Sequence, residues 1–143
     1  MKSLWTISDL GEAKHVVGIA IRRDRTNKTA HLSQKALIDK VIQQFGQQDS
    51  HPTFTPMDPG LKLPRFDKST VSKAEAERLS KIPYCSLVGC LIYLAVSTCP
   101  DISYAVQQLS QFLNSFSYTH RMATIQVFLA SEQTHSLTYI FVI

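Results

Sequence analysis

The stretch IPYCSLVGCLIYLAVSTCP, residues Ile82–Pro100, contains nineteen consecutive residues without a charge. A membrane-spanning helix needs about 20 predominantly apolar residues, so the stretch has two interpretations, a membrane anchor or a helix buried in a protein core. Its densest apolar part, Leu87–Val96, has ten residues, and a helix of that length spans only roughly 15 Å. Neither end carries the cluster of lysine and arginine that marks the cytoplasmic side of a membrane helix. We therefore expect a helix buried in a globular core.

Two prolines divide this region into one helix and the start of another. Pro83 fits the first turn of a helix that runs to about Val96, because proline lacks the N–H that a first turn leaves unpaired anyway. Thr98 and Asp101 then have the spacing of a capping box, with Pro100 between them, which predicts a second helix start. Apolar residues follow at the spacing of an amphipathic helix: Ile102, Ala105, Val106, Leu109, Phe112 and Leu113.

The residues before this region are predicted to form a long loop and a short helix. Residues 47–71 show no periodicity and hold four of the six prolines: Pro52, Pro56, Pro59 and Pro64. A loop of this length is uncommon inside a compact domain, so we expect it to lie across the surface of something else. Ser72 and Glu75 again have the spacing of a capping box, which predicts a short helix through Leu79.

The first 46 residues are predicted to form a β-hairpin and a helix. The short runs HVVGIAI (His15–Ile21) and AHLSQ (Ala30–Gln34) predict two strands, and Asn27 between them is the expected left-handed turn residue. Ser33 is a candidate N-cap for the helix, and Gly46 is a candidate C′ residue. The helix itself is indicated by apolar side chains at helical spacing: Leu37, Ile38, Val41, Ile42 and Phe45.

The C-terminal part of the sequence has a weaker pattern. Residues Met122–Leu129 predict a helix, and LTYIFVI, Leu137–Ile143, predicts a strand. No partner strand lies nearby in sequence, so we interpret this run as an unpaired strand in a chain that stops inside a domain. The predicted fold class is α+β, an incomplete domain with a β-hairpin and helix (1–46), a proline-rich linker (47–71) and a truncated, mainly helical part ending in a short strand (72–143).

The composition is that of a globular protein with a mild positive charge. Apolar residues make up 44% and charged residues 18% of the sequence, which argues against disorder. The net charge of +4 and the pI near 9.1 are compatible with a nucleic acid or an anionic surface as a partner. Three cysteines give no disulfide framework, and the N-terminus has no apolar signal region. We expect an intracellular protein, cytoplasmic or nuclear and not secreted.

Four blocks of the sequence resemble one protein family in their order and spacing. The blocks are SDLGEAKHVVGIAIRRDR (Ser8–Arg25), HLSQKALIDKVIQQFG (His31–Gly46), TPM (Thr55–Met57) and YCSLVGCLIYLAVSTCPDISYAVQQLSQF (Tyr84–Phe112). They resemble the reverse transcriptase region of the Pol polyprotein of copia-type LTR retrotransposons, downstream of the polymerase active site. The resemblance implies that residues 1–46 correspond to the end of the palm and residues 72–143 to the thumb and its continuation.

The resemblance also implies which catalytic parts are missing. Polymerisation uses clustered aspartates to hold two metal ions, and the family carries them in a Tyr-Val-Asp-Asp turn and an earlier aspartate, upstream of the matched region. No Asp-Asp pair occurs in this sequence. We therefore predict no catalytic residue, no polymerase activity and no cofactor in this chain, with Mg²⁺ expected only for the intact polymerase.

The candidate nucleic-acid contacts are four cations of the predicted hairpin tip, Arg22, Arg23, Arg25 and Lys28, together with Gln34. The resemblance implies that the cations contact phosphates of a primer–template duplex, while a turn that is polar only because it is solvated stays open. Gln34 has two interpretations, a contact to a sugar or base edge and an ordinary polar residue at a strand end. The expected partners are an RNA or DNA primer–template, or the remaining parts of a Pol polyprotein, with no membrane and no small-molecule substrate.

Five residues of the family-like blocks are predicted to have structural roles: Gly11, Gly18, Gly89, Pro100 and Asp101. Gly18 inside a strand indicates the close approach of another backbone or of nucleic acid, or a simple packing requirement. Asp101 is predicted to cap a helix. No metal site is predicted, because the cysteines lack the spacing of a zinc site.

Two other functions stay open beside a truncated reverse transcriptase fragment. One is a non-enzymatic nucleic-acid-binding or assembly module retained by a host, which salt-dependent binding by a monodisperse protein would favour. The other is a small membrane-associated protein built on the uncharged stretch, which detergent-dependent solubility would favour.

Overall fold

The computed structural model describes residues 8, 11–51, 53–65, 72–134 and 139–142. Strands form at both ends of the described chain, with helices between them, and the predicted α+β class is confirmed. The elements in chain order are β1 (His15–Val16), β2 (Ile19–Asp24), β3 (Thr29–Ser33), α1 (Lys35–Gln44), α2 (Lys73–Ser80), α3 (Tyr84–Ser97), a 3₁₀ turn (Pro100–Ile102), α4 (Ser103–Ser110), α5 (Tyr118–Thr134) and β4 (Tyr139–Val142).

The four strands form one antiparallel sheet in the order β1-β2-β3-β4. β4 pairs with β3, so that Leu32 lies opposite Tyr139 and Thr29 opposite Val142. The prediction of a strand is therefore confirmed for Tyr139–Val142, while Leu137, Thr138 and Ile143 lie outside the described residues. The interpretation of this strand as unpaired is wrong, because its partner comes from the other end of the chain.

The run HVVGIAI is two strands joined by a tight turn, which corrects the prediction of one strand. Val17 and Gly18 have φ values of +50° and +79° and connect β1 to β2. Positive φ at both central residues is typical of the two-residue turns whose twist matches the flanking strands. Gly18 therefore lies in a turn and not inside a strand. The hydroxyl of Tyr93 on α3 donates to the carbonyl of Val17 and ties this turn to the helices.

The second turn of the sheet is organised by Asp24. The carboxylate of Asp24 accepts the backbone N–H groups of Thr26 and Asn27, both at 3.0 Å, and the side-chain amide of Asn27 at 2.8 Å. Lys28 then has the left-handed conformation, with φ of +52°. The prediction of Asn27 for this role is wrong, because Asp24 holds Asn27 in the preceding part of the turn.

α1 ends where the sequence predicted and begins one residue later than predicted. Gly46 has φ of +62°, its N–H donates to the carbonyl of Gln43 at 3.1 Å, and the N–H of Gln47 donates to Ile42 at 3.0 Å. This is a Schellman motif, so the prediction of Gly46 as C′ is confirmed. At the other end Gln34, not Ser33, is the N-cap residue, and its side chain makes no cap hydrogen bond.

The uncharged stretch forms α3, preceded by Pro83 and separated from α2 by residues 81–83. The predicted cap of α2 is confirmed, since the Ser72 hydroxyl accepts the N–H of Glu75 at 3.3 Å. By length and composition alone, Lys73–Ser97 could cross a membrane, and a third of its most apolar window is buried inside the protein. One face of α3 joins the core through six buried residues: Tyr84, Leu87, Val88, Leu91, Leu94 and Ala95. The opposite face is exposed, most of all at Val96.

The corner after α3 is built differently from the predicted capping box. The turn Pro100–Ile102 has no side-chain cap, and Asp101 is exposed. The hydroxyl of Thr98 donates instead to the side-chain oxygen of Gln34 at 2.8 Å. The prediction of Asp101 as a helix cap is therefore wrong, because Thr98 is the C-cap residue of α3 and Cys99, which has no side-chain cap bond, precedes the turn. α4 ends at Ser110. The apolar pattern from which this helix was predicted continues to Leu113.

α5 is longer than the sequence predicted, with 17 residues from Tyr118 to Thr134. Three buried polar side chains interrupt its apolar pattern: His120, Thr124 and Ser131. The hydroxyls of Thr124 and Ser131 donate to the carbonyls of His120 and Phe128, each at 2.8 Å. Because these side chains bond within their own helix, they are buried without breaking it.

One hydrophobic core joins α1, α3, α4 and α5. The proline-rich loop lies across α5: Met57 is buried in this core, and the side-chain amide of Gln126 donates to the carbonyl of Thr55 at 3.2 Å. Pro52 lies outside the described residues. α1 thus shares its core with helices of residues 72–143, and the division into three segments stays a prediction.

Candidate nucleic-acid interface

The register between β2 and β3 determines which face of the sheet each basic side chain extends from. Arg22 lies directly opposite His31, so their side chains extend from the same face of the sheet. Arg23 is paired with Ala30 and extends from the opposite face. Arg25 and Lys28 belong to the turn between β2 and β3. The structure therefore brings the four predicted cations to one end of the sheet without placing them all on one face.

A groove runs along this end of the sheet. Two adjoining cavities of about 530 and 520 Å³ share part of their lining, and a third of about 370 Å³ continues to the turn. We call this surface the basic groove and define it by its charged and titratable lining residues: Glu12, Lys14, His15, Arg22, Arg23, Asp24, Arg25, Lys28 and His31. Its five Lys and Arg side chains outnumber its two carboxylates, so the groove attracts anions.

The two carboxylates of the basic groove differ in what they hold. The carboxylate of Asp24 accepts hydrogen bonds within its own turn. The backbone N–H of Asn27 has the larger effect and the side-chain amide of Asn27 the smaller, and both keep the pKa of Asp24 below its usual value. Glu12 instead reaches a cation, with its Oε1 at 3.3 Å from Nη2 of Arg25. The side chains of Arg25 and Glu12 are 81% and 47% exposed. This ion pair lies at the surface, where a ligand can reach it.

Gln34 is not part of the groove. Its side chain is 1% exposed and accepts the hydroxyl of Thr98, while its Nε2 has no hydrogen-bond partner among the described residues. The prediction that Gln34 contacts a sugar or base edge is wrong, because the side chain is enclosed between the start of α1 and the end of α3.

The other residues that were predicted to have structural roles lie away from the groove or at its margin. Gly11 has φ of +74°. Gly89 lies on the exposed face of α3, and a Cβ at that position would meet no atom within 4 Å. Packing therefore does not explain this glycine. Pro100 opens the 3₁₀ turn and Asp101 follows it on the surface.

The cysteines lie in three different environments. Cys85 is exposed, Cys90 is half-buried and Cys99 is buried. Burial raises the pKa of the Cys99 thiol, which therefore stays protonated at neutral pH. Within the described ranges, no three histidine, cysteine, aspartate or glutamate side chains are grouped so that they could hold a metal ion.

His120 is a buried polar site that sequence reasoning missed. Its Nδ1 accepts the N–H of Ser117 at 3.1 Å and lies 2.8 Å from the Ser117 hydroxyl oxygen. Its ring packs on Phe112, with the centroids 4.3 Å apart. Its Nε2 is buried without a hydrogen-bond partner in the part of the chain that the structure describes. The three-residue spacing from Ser117, as in a capping box, was the signal available in the sequence.

The environment of His120 predicts a loss of stability in mild acid. Burial lowers the pKa of His120 below the ordinary value of 6.5, so the unfolded chain takes up a proton at a higher pH than the folded chain. Stability from this group is complete above pH 6.5 and falls as the pH drops below it, by at most about 1.4 kcal/mol per pH unit. We expect the urea midpoint to fall between pH 7.5 and 5.5.

NMR titration of the histidine ring protons assigns this effect to His120. We expect the His120 ring in the folded protein to take up its proton at a pH below the ordinary histidine value of 6.5. A His120 signal that titrates near 6.5 would contradict the prediction.

The sequence is similar to Pol polyproteins of plant transposons. It is 37% identical over 116 residues to the retrovirus-related Pol polyprotein from transposon TNT 1-94 of Nicotiana tabacum, a match that covers 81% of this chain and 9% of that protein. The corresponding protein from transposon RE1 of Arabidopsis thaliana is 31% identical over 135 residues, which are 93% of this chain and 8% of that protein. The secreted RxLR effector protein 161 of Plasmopara viticola is 41% identical over 63 residues, 43% of this chain and 44% of that protein. No family model and no solved structure matches the chain.

These relatives establish the family of the chain. Three Pol polyproteins match most of the chain at 30–37% identity. The chain spans less than a tenth of the length of these relatives. The resemblance to copia-type Pol polyproteins is thus confirmed, and the chain belongs to the retrovirus-related Pol polyproteins of plant copia-type transposons.

Proposed function

We propose that the chain corresponds to part of the reverse transcriptase region of a copia-type Pol polyprotein and holds nucleic acid through the basic groove. It is not a polymerase by itself in this proposal, because the residues that would bind catalytic metal ions belong to another part of the polyprotein. The other parts of a Pol polyprotein are the protein partners that its family membership favours. The homology to Pol polyproteins and the charge of the groove support this proposal.

One observation carries the proposal: exposed cations line three cavities with shared lining residues at the end of the sheet. A nucleic-acid backbone presents regularly spaced phosphates, and guanidinium groups bind phosphate oxygens through paired hydrogen bonds. Arg22 lines the same cavity as His31 and the Glu12–Arg25 pair. Contacts of this kind do not distinguish sequences, so the proposed binding is general for a nucleic-acid backbone.

Replacing Arg22 by glutamine should weaken binding of a fluorescein-labelled DNA duplex about five- to tenfold at 0.1 M salt. A phosphate contact adds about 0.9 to the slope of log K against log salt concentration, so the slope should become shallower by about that amount. Fluorescence anisotropy over a salt series measures both quantities, because the bound duplex tumbles more slowly.

Arg78→Gln is the matched control, since Arg78 is exposed on α2 and lines a different cavity. It removes the same charge and should change the affinity less than twofold. Equal losses in the two variants would show that only the net charge matters. Absence of salt-dependent binding by the unmodified protein would refute the proposed function.

A further inference from the structure

We propose that Glu12 acts as an internal competitor that occupies Arg25 until a phosphate displaces it. This inference rests on the proposed binding of nucleic acid by the basic groove and identifies how that groove is regulated. A carboxylate and a phosphate present similar oxygens to a guanidinium group. The carboxylate of Glu12 therefore takes the place at Arg25 that a phosphodiester oxygen would take.

The position of Glu12 supports a role inside the groove. Glu12 lines both of the larger cavities, and Arg22, Arg23 and His31 line the same two cavities. Of the two carboxylates in the lining, Asp24 is held by its own turn, whereas Glu12 contacts Arg25 across 13 residues of sequence. The negative charge of Glu12 thus lies on the path of an approaching backbone.

The backbone holds Glu12 near this place. Two residues after it, the carbonyl of Lys14 accepts the N–H of Ile21 at 2.7 Å, which fixes the segment before β1 alongside β2. Glu12 is therefore presented to Arg25 by the edge of the sheet, and the side chain does not need to fold back from a remote segment.

The ion pair is suited to displacement. Both side chains are substantially exposed, and exposed ion pairs are weak because water and salt screen them. A strand of nucleic acid that already contacts other cations of the groove can displace Glu12 from Arg25, and breaking this weak ion pair costs little binding free energy. The competitor should therefore lower the affinity by about two- to fivefold and should not abolish binding.

Glu12→Gln tests this role directly. We expect the variant to bind a labelled DNA duplex two- to fivefold more tightly at 50 mM salt, measured by fluorescence anisotropy, and the advantage to disappear at 300 mM salt. Glu77→Gln is the matched control, because Glu77 is exposed on α2 and does not line the groove. It produces the same change in net charge and should leave the affinity nearly unchanged.

A double-mutant cycle with Arg25→Gln separates competition from a simple charge effect. If Glu12 occupies Arg25, the loss of Arg25 should cost little affinity in the unmodified protein and about two- to fivefold more in the Glu12→Gln background. Equal costs in both backgrounds, or equal gains in Glu12→Gln and Glu77→Gln, would overturn the inference while leaving the proposed function intact. Absence of binding by all variants would instead refute the proposed function.

Discussion

Leu94→Ala is expected to lower the free energy of unfolding by about 2–5 kcal/mol, the largest effect that we predict for one substitution. Leu94 lies on the buried face of α3 and is 0% exposed. Removing its side-chain methyl groups leaves a cavity in a core that four helices share, and such a core does not collapse fully around the gap. Urea unfolding followed by circular dichroism gives the free energy, and an unchanged m-value would show that only stability changed.

A matched pair of valines on the same helix provides the control. Val88 is 0% exposed and Val96 is 83% exposed. We expect Val88→Ala to cost about 2 kcal/mol and Val96→Ala less than about 0.5 kcal/mol. Similar costs for the two valines would contradict the arrangement of α3 with one buried and one exposed face. Such a result would also reopen the interpretation of the uncharged stretch as a membrane helix.

Thr98→Val is expected to cost about 1–3 kcal/mol through a polar contact that joins two distant parts of the chain. The hydroxyl of Thr98 donates to Oε1 of Gln34 at 2.8 Å, and both residues are buried. Valine has a similar shape but cannot donate, so the carbonyl oxygen of the Gln34 side chain would remain buried without this donor. The buried Nε2 of Gln34 already lacks a hydrogen bond within the described residues. Urea unfolding measures the loss.

The combination with Gln34→Met distinguishes a lost hydrogen bond from altered packing. Methionine has no polar group that needs a partner, so the double variant should be less destabilised than the sum of the two single variants. Thr119→Val, at an exposed position of α5, should change stability by less than about 0.5 kcal/mol. Strictly additive costs for Gln34→Met and Thr98→Val would show that the two side chains do not depend on each other.

Several features of the fold and the groove were predictable because they depend on neighbouring residues. The serine at position 72 captures an N–H three residues away, and the glycine at position 46 provides the left-handed conformation that ends α1. The cations of the groove were also recognisable, because Arg22, Arg23, Arg25 and Lys28 are close in sequence. Whether they contact phosphates stays a prediction.

Other features of the structure were not predicted from the sequence. Glu12 was missed as part of the groove, since its contact with Arg25 requires the sheet to bring the two residues together. Val17 was assigned to a strand, although a tight turn fits the twist of the sheet. α5 was predicted too short, because a polar residue such as Ser131, beyond the predicted end, looks exposed until its hydrogen bond within the helix is seen.

The sequence by itself determined the class of elements, the start of α2, the end of α1 and the family, because caps, turns and hydrophobic periodicity act over a few residues. Only the tertiary structure decided that β4 closes onto β3, that Gln34 and Thr98 share a buried contact and that Glu12 faces Arg25. The uncharged stretch shows the same division. Its helix follows from local sequence, but which of its faces is buried depends on the helices that pack against it.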